Sequence, residues 1–147
     1  MNFSSVRIIT ADINRLIDFY EQVAGVQLTR YTEDFAELRT PLATLAIGST
    51  NTLALFGGIE IAKAAENRSV IIEFQVEDVD SKYEALANFF GDTVVQKPTT
   101  MPWGNRSLLF RDPDGNLVNF FTPVTPEAKK RFEVKIEYSK AFLENPI

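Results

Sequence analysis

The run from Ser5 to Thr10, "SVRIIT", has the apolar, β-branched pattern of a strand, and then the period changes. After Asp12, residues Ile13, Leu16, Ile17, Tyr20 and Val23 recur at helical spacing until Gly25, which predicts a helix opened by the aspartate and closed by the glycine. The same grammar returns later. Val70 to Val76, "VIIEFQV", alternates; Asp78 precedes a stretch with Val79, Tyr83, Leu86 and Phe90 on one face, and Gly91 ends it. The aspartates lie 78 − 12 = 66 residues apart, and so do the glycines, 91 − 25 = 66. Short β-type runs follow each helix: "VQLTRYT", "FAELRT", "ATLAIG" and "TLALF" first, then "TVVQKP", "RSLLFR" and "LVNFF". The chain therefore reads as α+β, one unit of strand, helix and antiparallel strands repeated in tandem. The copies occupy about 5–57 and 70–123, joined by "GGIEIAKAAENRS".

Between the last two strands, Asp112, Pro113, Asp114 and Gly115 make a hairpin turn. Proline presets φ, aspartate can bond the local backbone, and glycine accepts a positive φ. Residues 124–147 form an extension, in which Thr125 as cap and Pro126 in the first turn predict a helix. Phe132, Ile136 and Leu143 would dock it on the sheet or on a partner subunit.

Composition narrows the chemistry. A chain of 147 residues with 45% hydrophobic and 24% charged positions suits one ordinary globular domain. A net charge of −5 argues against nucleic-acid or anionic-membrane partners and for a neutral or cationic ligand. With no Cys there is neither thiolate catalysis nor a disulfide, and with no His the commonest general base and metal ligand are missing. No run approaches the roughly 20 apolar residues of a membrane span, and no leader pattern opens the chain, so a cytoplasmic location is expected.

Taken together, the strand, Asp12, "FY" at Phe19 and Tyr20, Gly25, the second copy and "FRDPDGNLVNFF" resemble the glyoxalase, bleomycin-resistance and extradiol-dioxygenase superfamily, the vicinal oxygen chelate fold. The resemblance spans roughly Ser5 to Pro123, and "PWGNRSLLFRDPDGN" looks most like the small bleomycin-resistance and phenazine-binding members. It implies two tandem βαβββ units whose sheets form half-barrels around a cavity, commonly in a homodimer, within a domain spanning 1–123.

The enzymes of that family line the cavity with His and Glu around a metal. Position by position, this chain offers Ser5 and Ile71 on the first strands, and Ala54 and Asn119 on the last. Neither acid nor imidazole stands there, so no metal and no cofactor is expected.

Strand parity puts Ser5, Arg7 and Ile9 on the face of the vacated positions in the first copy, and Ile71, Glu73 and Gln75 in the second. Glu73 would favour a cationic ligand, or else pair with Arg7. Asn119 can donate and accept toward a ligand's polar edge, or be satisfied within the sheet. Trp103, the only Trp, suits a pocket wall, and Tyr31, Phe35, Phe56 and Phe121 could line the same space or belong to the core. Glu33, Asp34 and Glu37 make an acidic rim or a solvated hairpin. Asp78, Asp80 and Ser81 fit a helix start, Ser81 with Glu84 matching a capping box. The expectation is a metal-free protein that binds a small aromatic or cationic molecule and confers antibiotic resistance by sequestration. The alternatives are an enzyme with an atypical site, using Glu73 as base, and a non-catalytic interaction module.

Overall fold

A computed structural model describes residues 1–144. The chain divides into two compact units, Met1–Val70 with Asp112–Asn116, and Ile71–Arg111 with Leu117–Ile147. The hairpin turn is thus part of the first unit, although its flanking strands belong to the second.

In the first unit, β1 (Ser5–Thr10) leads into α1 (Ile13–Ala24), followed by β2 (Thr29–Thr32), β3 (Phe35–Arg39) and β4 (Thr44–Ser49). The sheet order is β1-β4-β3-β2, with β1 and β4 parallel and the remaining pairs antiparallel. The Asp12 side chain accepts the Arg15 N–H and starts α1, while Gly25, at φ 69°, ends it by donating to the Glu21 carbonyl. The stripe Leu16, Tyr20 and Val23 is fully buried, together with Ala36, Leu38 and Ile47 from the sheet. Truncating Leu16 to Ala in such surroundings typically costs about 2–5 kcal/mol.

"TLALF" is not a strand. Residues Thr50–Leu55 form a 3₁₀ turn, capped by Ser49, whose side chain accepts the Asn51 N–H. β4 already has β1 and β3 on its two edges, and the turn satisfies its backbone locally, Phe56 and Gly58 both donating to the Leu53 carbonyl.

A buried carboxylate organises the remainder of this unit. Asp112, 4% exposed, accepts the Tyr20 hydroxyl at 2.7 Å, the Asn116 amide at 2.8 Å and the backbone N–H groups of Asp114 and Asn116 at 2.9 Å each. Four donors offset the desolvation of one charge. Burial, and then the negative Asp112, hold the Tyr20 phenol protonated far above its ordinary range. Asp114, also desolvated and close to Asp112, is raised as well, with the Thr10 hydroxyl opposing part of the effect.

The second unit repeats the plan with β5 (Ile71–Gln75), α2 (Val79–Phe90), β6 (Val94–Thr100), β7 (Asn105–Arg111) and β8 (Leu117–Pro123), ordered β5-β8-β7-β6 with β5 and β8 parallel. Neither sheet closes into a barrel. The α2 cap is Asp78, which accepts the Asp80 and Ser81 N–H groups, and Ser81 donates its hydroxyl to it. This corrects the Ser81–Glu84 capping box: Ser81 sits one turn too late to be the cap. Phe90, Phe110 and Phe120 fill the core, with Phe90–Phe110 ring centres 4.6 Å apart and Phe110–Phe120 4.9 Å apart, near perpendicular. Each such pair adds about 0.5–1.5 kcal/mol beyond area burial.

The extension is helical, α3 (Pro126–Glu144), with Ala128 fully buried and the Phe132 ring 5.1 Å from Phe121. The side chains of Ile136 and Leu143 lie outside the described residues. Gly104 makes the entry into α3 possible. At φ 92° its carbonyl accepts from Val124 and Thr125, and a Cβ there would fall 2.0 Å from the Thr125 hydroxyl. Among the described residues no helix is long and apolar enough to cross a membrane.

Two substitutions test the buried network. Tyr20→Phe removes a donor from a buried charge and should lower urea-unfolding stability by about 1.5–3 kcal/mol. No measurable loss would mean that water replaces the hydroxyl. Asp114→Asn should stabilise the fold near neutral pH. The folded-state pKa of Asp114 is raised, so its ionised form destabilises the fold as pH rises through that value, and the gain should vanish under acid conditions where the wild-type carboxyl is protonated.

Candidate functional site

One helix covers one face of each sheet, and the other face carries the candidate residues. In the first unit the register places Arg7 across from Ala46 and Ala46 across from Glu37. Arg7 thus lies on the face opposite the buried Ala36, Leu38 and Ile47. Its guanidinium carbon sits 4.6 Å from the centre of the Phe35 ring and 5.1 Å from that of Phe56, within cation–π range of both. Tyr31 is 5.9 Å from Phe35, ring centre to ring centre, and donates its hydroxyl to Glu37 at 3.3 Å. Arg39 donates to the Tyr31 oxygen at 3.5 Å and lies 3.8 Å from Glu37. Tyr31 is 52% exposed and Phe56 63%. The structure therefore assembles Arg7, Tyr31, Phe35 and Phe56 into one open aromatic and cationic surface.

Small residues on β4 create it. Ala46 and Gly48 leave the middle of the sheet low, and a Cβ on Gly48 would come 3.0 Å from the Thr52 hydroxyl and 3.4 Å from Arg7 Cδ. The Arg7 stem uses that space to cross β4. Neither the 3₁₀ turn that presents Phe56 nor the part played by Gly48 was visible in the sequence pattern, which placed Phe56 at the end of a strand.

In the second unit Asn119 stands across from Glu73 on β5 and Leu109 on β7, and Phe121 across from Gln75 and Ser107. The Asn119 amide donates to Glu73 Oε2 at 2.7 Å, so the carboxylate has a partner inside its own sheet. That bond fixes the amide, and Asn119 Oδ1 is left buried without a hydrogen-bond partner in a residue only 8% exposed. Phe121, for which the sequence leaves cavity wall and core both open, is 7% exposed with its ring against Phe132 of α3. The reason is the extension, whose Phe132 docks on the sheet as its sequence suggested. Trp103 is 58% exposed in its loop, and its carbonyl accepts from Arg131 at 2.7 Å.

The acidic clusters have structural explanations. Asp34 accepts from the Ser49 hydroxyl and the Asn51 amide, which hold its carboxyl below its usual range. Asp80 is held by Arg106 through two bonds of 2.6 and 2.8 Å.

The register also corrects one position. Arg7 and Glu73 are related by the repeat, 73 − 7 = 66, and they face Ala46 and Asn119. The last-strand equivalent of Asn119 is therefore Ala46. Ala54 lies exposed in the 3₁₀ turn. The four positions hold Ser5, Ala46, Ile71 and Asn119, and this donor set does not fit a divalent transition metal. Among the described residues no three His, Cys, Asp or Glu side chains gather into a metal-binding group.

The amide–carboxylate bond can be tested by charge. Asn119→Asp would place two carboxylates within about 3 Å, and both cannot ionise freely. The shared proton raises the folded-state pKa, so stability relative to wild type should fall by about 1–3 kcal/mol at pH 7.5 and recover towards pH 5, as read by urea titration. An equal loss at both values would show that charge repulsion is not its cause.

The sequence model of the Glyoxalase/Bleomycin resistance protein/Dioxygenase superfamily matches residues 2–120. The uncharacterized protein YwbC of Bacillus subtilis is 27% identical over 115 residues, 78% of this chain and 91% of its own. A glyoxalase/bleomycin resistance protein/dioxygenase from Nocardioides superposes with a TM-score of 0.69 at 22% identity, over 86% of this chain and 85% of that one. A glyoxalase-related enzyme from Fulvimarina pelagi gives 0.68 at 16% identity, over 86% and 94%. The repeated βαβββ plan, its parallel strand pairs and the family match together show that this chain belongs to the glyoxalase/bleomycin resistance/dioxygenase superfamily.

Proposed function

We propose that this protein is a metal-independent member that binds a small planar aromatic molecule and acts by sequestration, as in bleomycin-resistance and phenazine-binding proteins. The observation that carries the reading is the pairing of two facts. The positions for metal ligands hold Ser5, Ala46, Ile71 and Asn119, and the open face beside two of them carries Phe35, Phe56 and Tyr31 around Arg7. Rings on a rigid sheet lose little entropy on stacking, and binding without turnover needs only apolar surface and a few fixed polar groups. The run Leu55, Phe56, Ile59 and Ile61 is more than half exposed at every position, a surface suited to pairing of two copies as a homodimer.

Calorimetric titration of the full chain with planar aromatic antibiotics, in the presence of chelator, tests the reading. Saturable binding is expected, and Phe56→Ala should weaken it roughly 2–10-fold, since a ring contact contributes about 0.5–1.5 kcal/mol. Binding or turnover that needs an added divalent metal would sink the proposal.

A further inference from the structure

We infer that the open face of the first unit's sheet selects a planar aromatic anion, a ring-borne carboxylate, through Arg7. The inference rests on the small-molecule reading above and assigns the ligand its charge.

The guanidinium of Arg7 is planar and permanently charged, with five N–H donors at its edge. Its carbon lies 4.6 Å from the centre of the Phe35 ring and 5.1 Å from that of Phe56. Among the described residues no hydrogen-bond acceptor engages its N–H groups. An exposed guanidinium in contact with two rings, with its donor edge unspent, matches a carboxylate bidentately, while the adjoining apolar surface takes the ring that carries it.

The neighbouring charges agree in sign. Arg39 lies on the same face, and Glu37, the one carboxylate that the described strand registers place there, is engaged by the Tyr31 hydroxyl and by Arg39. Among the described strand residues of this face, two guanidiniums stand against one carboxylate. The net charge of −5 on the whole chain opposes anions only weakly at this distance scale, because exposed charges are screened beyond about 8 Å at physiological salt. Glu73, the residue that suggests a cationic ligand from sequence, belongs to the other sheet and is bonded to Asn119.

Three isosteric probes separate charge from stacking: 2-naphthoate, 2-naphthamide and 2-naphthylmethylammonium, titrated calorimetrically into the full chain with chelator at low and physiological salt. The naphthoate should bind at least tenfold more tightly than the amide, and the margin should shrink with salt. Arg7→Gln should abolish the margin between naphthoate and amide, and Arg7→Lys should keep only part of it, since an ammonium lacks the planar fork. Equal binding of all three probes, or preference for the ammonium, would overturn the charge assignment and leave the small-molecule reading standing. Absence of binding by all three would overturn both. Should Arg7→Gln unfold, the ranking of the probes on the wild-type chain decides alone.

Discussion

A twelve-residue helix can cover only one face of a four-stranded sheet, and the rest of this structure depends on that limit. α1 and α2 each span about 18 Å, close to the width of the sheet beneath them, and each unit has one. Period-two alternation then decides every other side chain: towards the helix, and so apolar, or away from it, and so free to be polar, charged or aromatic. Arg7, Glu37 and Tyr31 are possible on β1, β3 and β2 because no helix needs that face. The two units have used this freedom differently. The first leaves its face open, whereas the second sets α3 against Phe121 through Phe132.

The elements that were legible in the sequence are those fixed by local rules. The capping aspartates, the closing glycines and the strand parity of β1 and β5 all follow from spacing within about a dozen residues, and the repeat reinforces them. What could not be read was decided by tertiary competition. "TLALF" has strand composition, yet β4 has no edge left for it, so Ser49 turns the chain into a 3₁₀ segment and carries Phe56 towards Arg7. Ala54 was misplaced for the same reason. Phe121 has the parity of a lining residue, and only a helix without counterpart in the first repeat removes it from the surface. The Tyr20 hydroxyl did carry a signal, since a Tyr on a fully buried stripe must find an acceptor, but nothing local names Asp112, 92 positions away.

The candidate surface is cheap to build and easy to retune. Gly48 admits the arginine stem, the arginine gathers the rings, and the rings dilute the solvent around its charge. None of these residues is part of the helix-facing core. Exchanges among Arg7, Phe35 and Phe56 should therefore have little effect on stability.

The turn Asp112–Asn116 bears on how such a duplicated chain can be divided. A cut at Val70 separates the two repeats of sequence cleanly, yet it leaves the first without the carboxylate that answers its own tyrosine. The later copy carries that missing part in the loop between its last two strands. The sequence repeat and the folded units therefore divide this molecule along different lines, and residues 1–70 alone hold a complete repeat but an incomplete core.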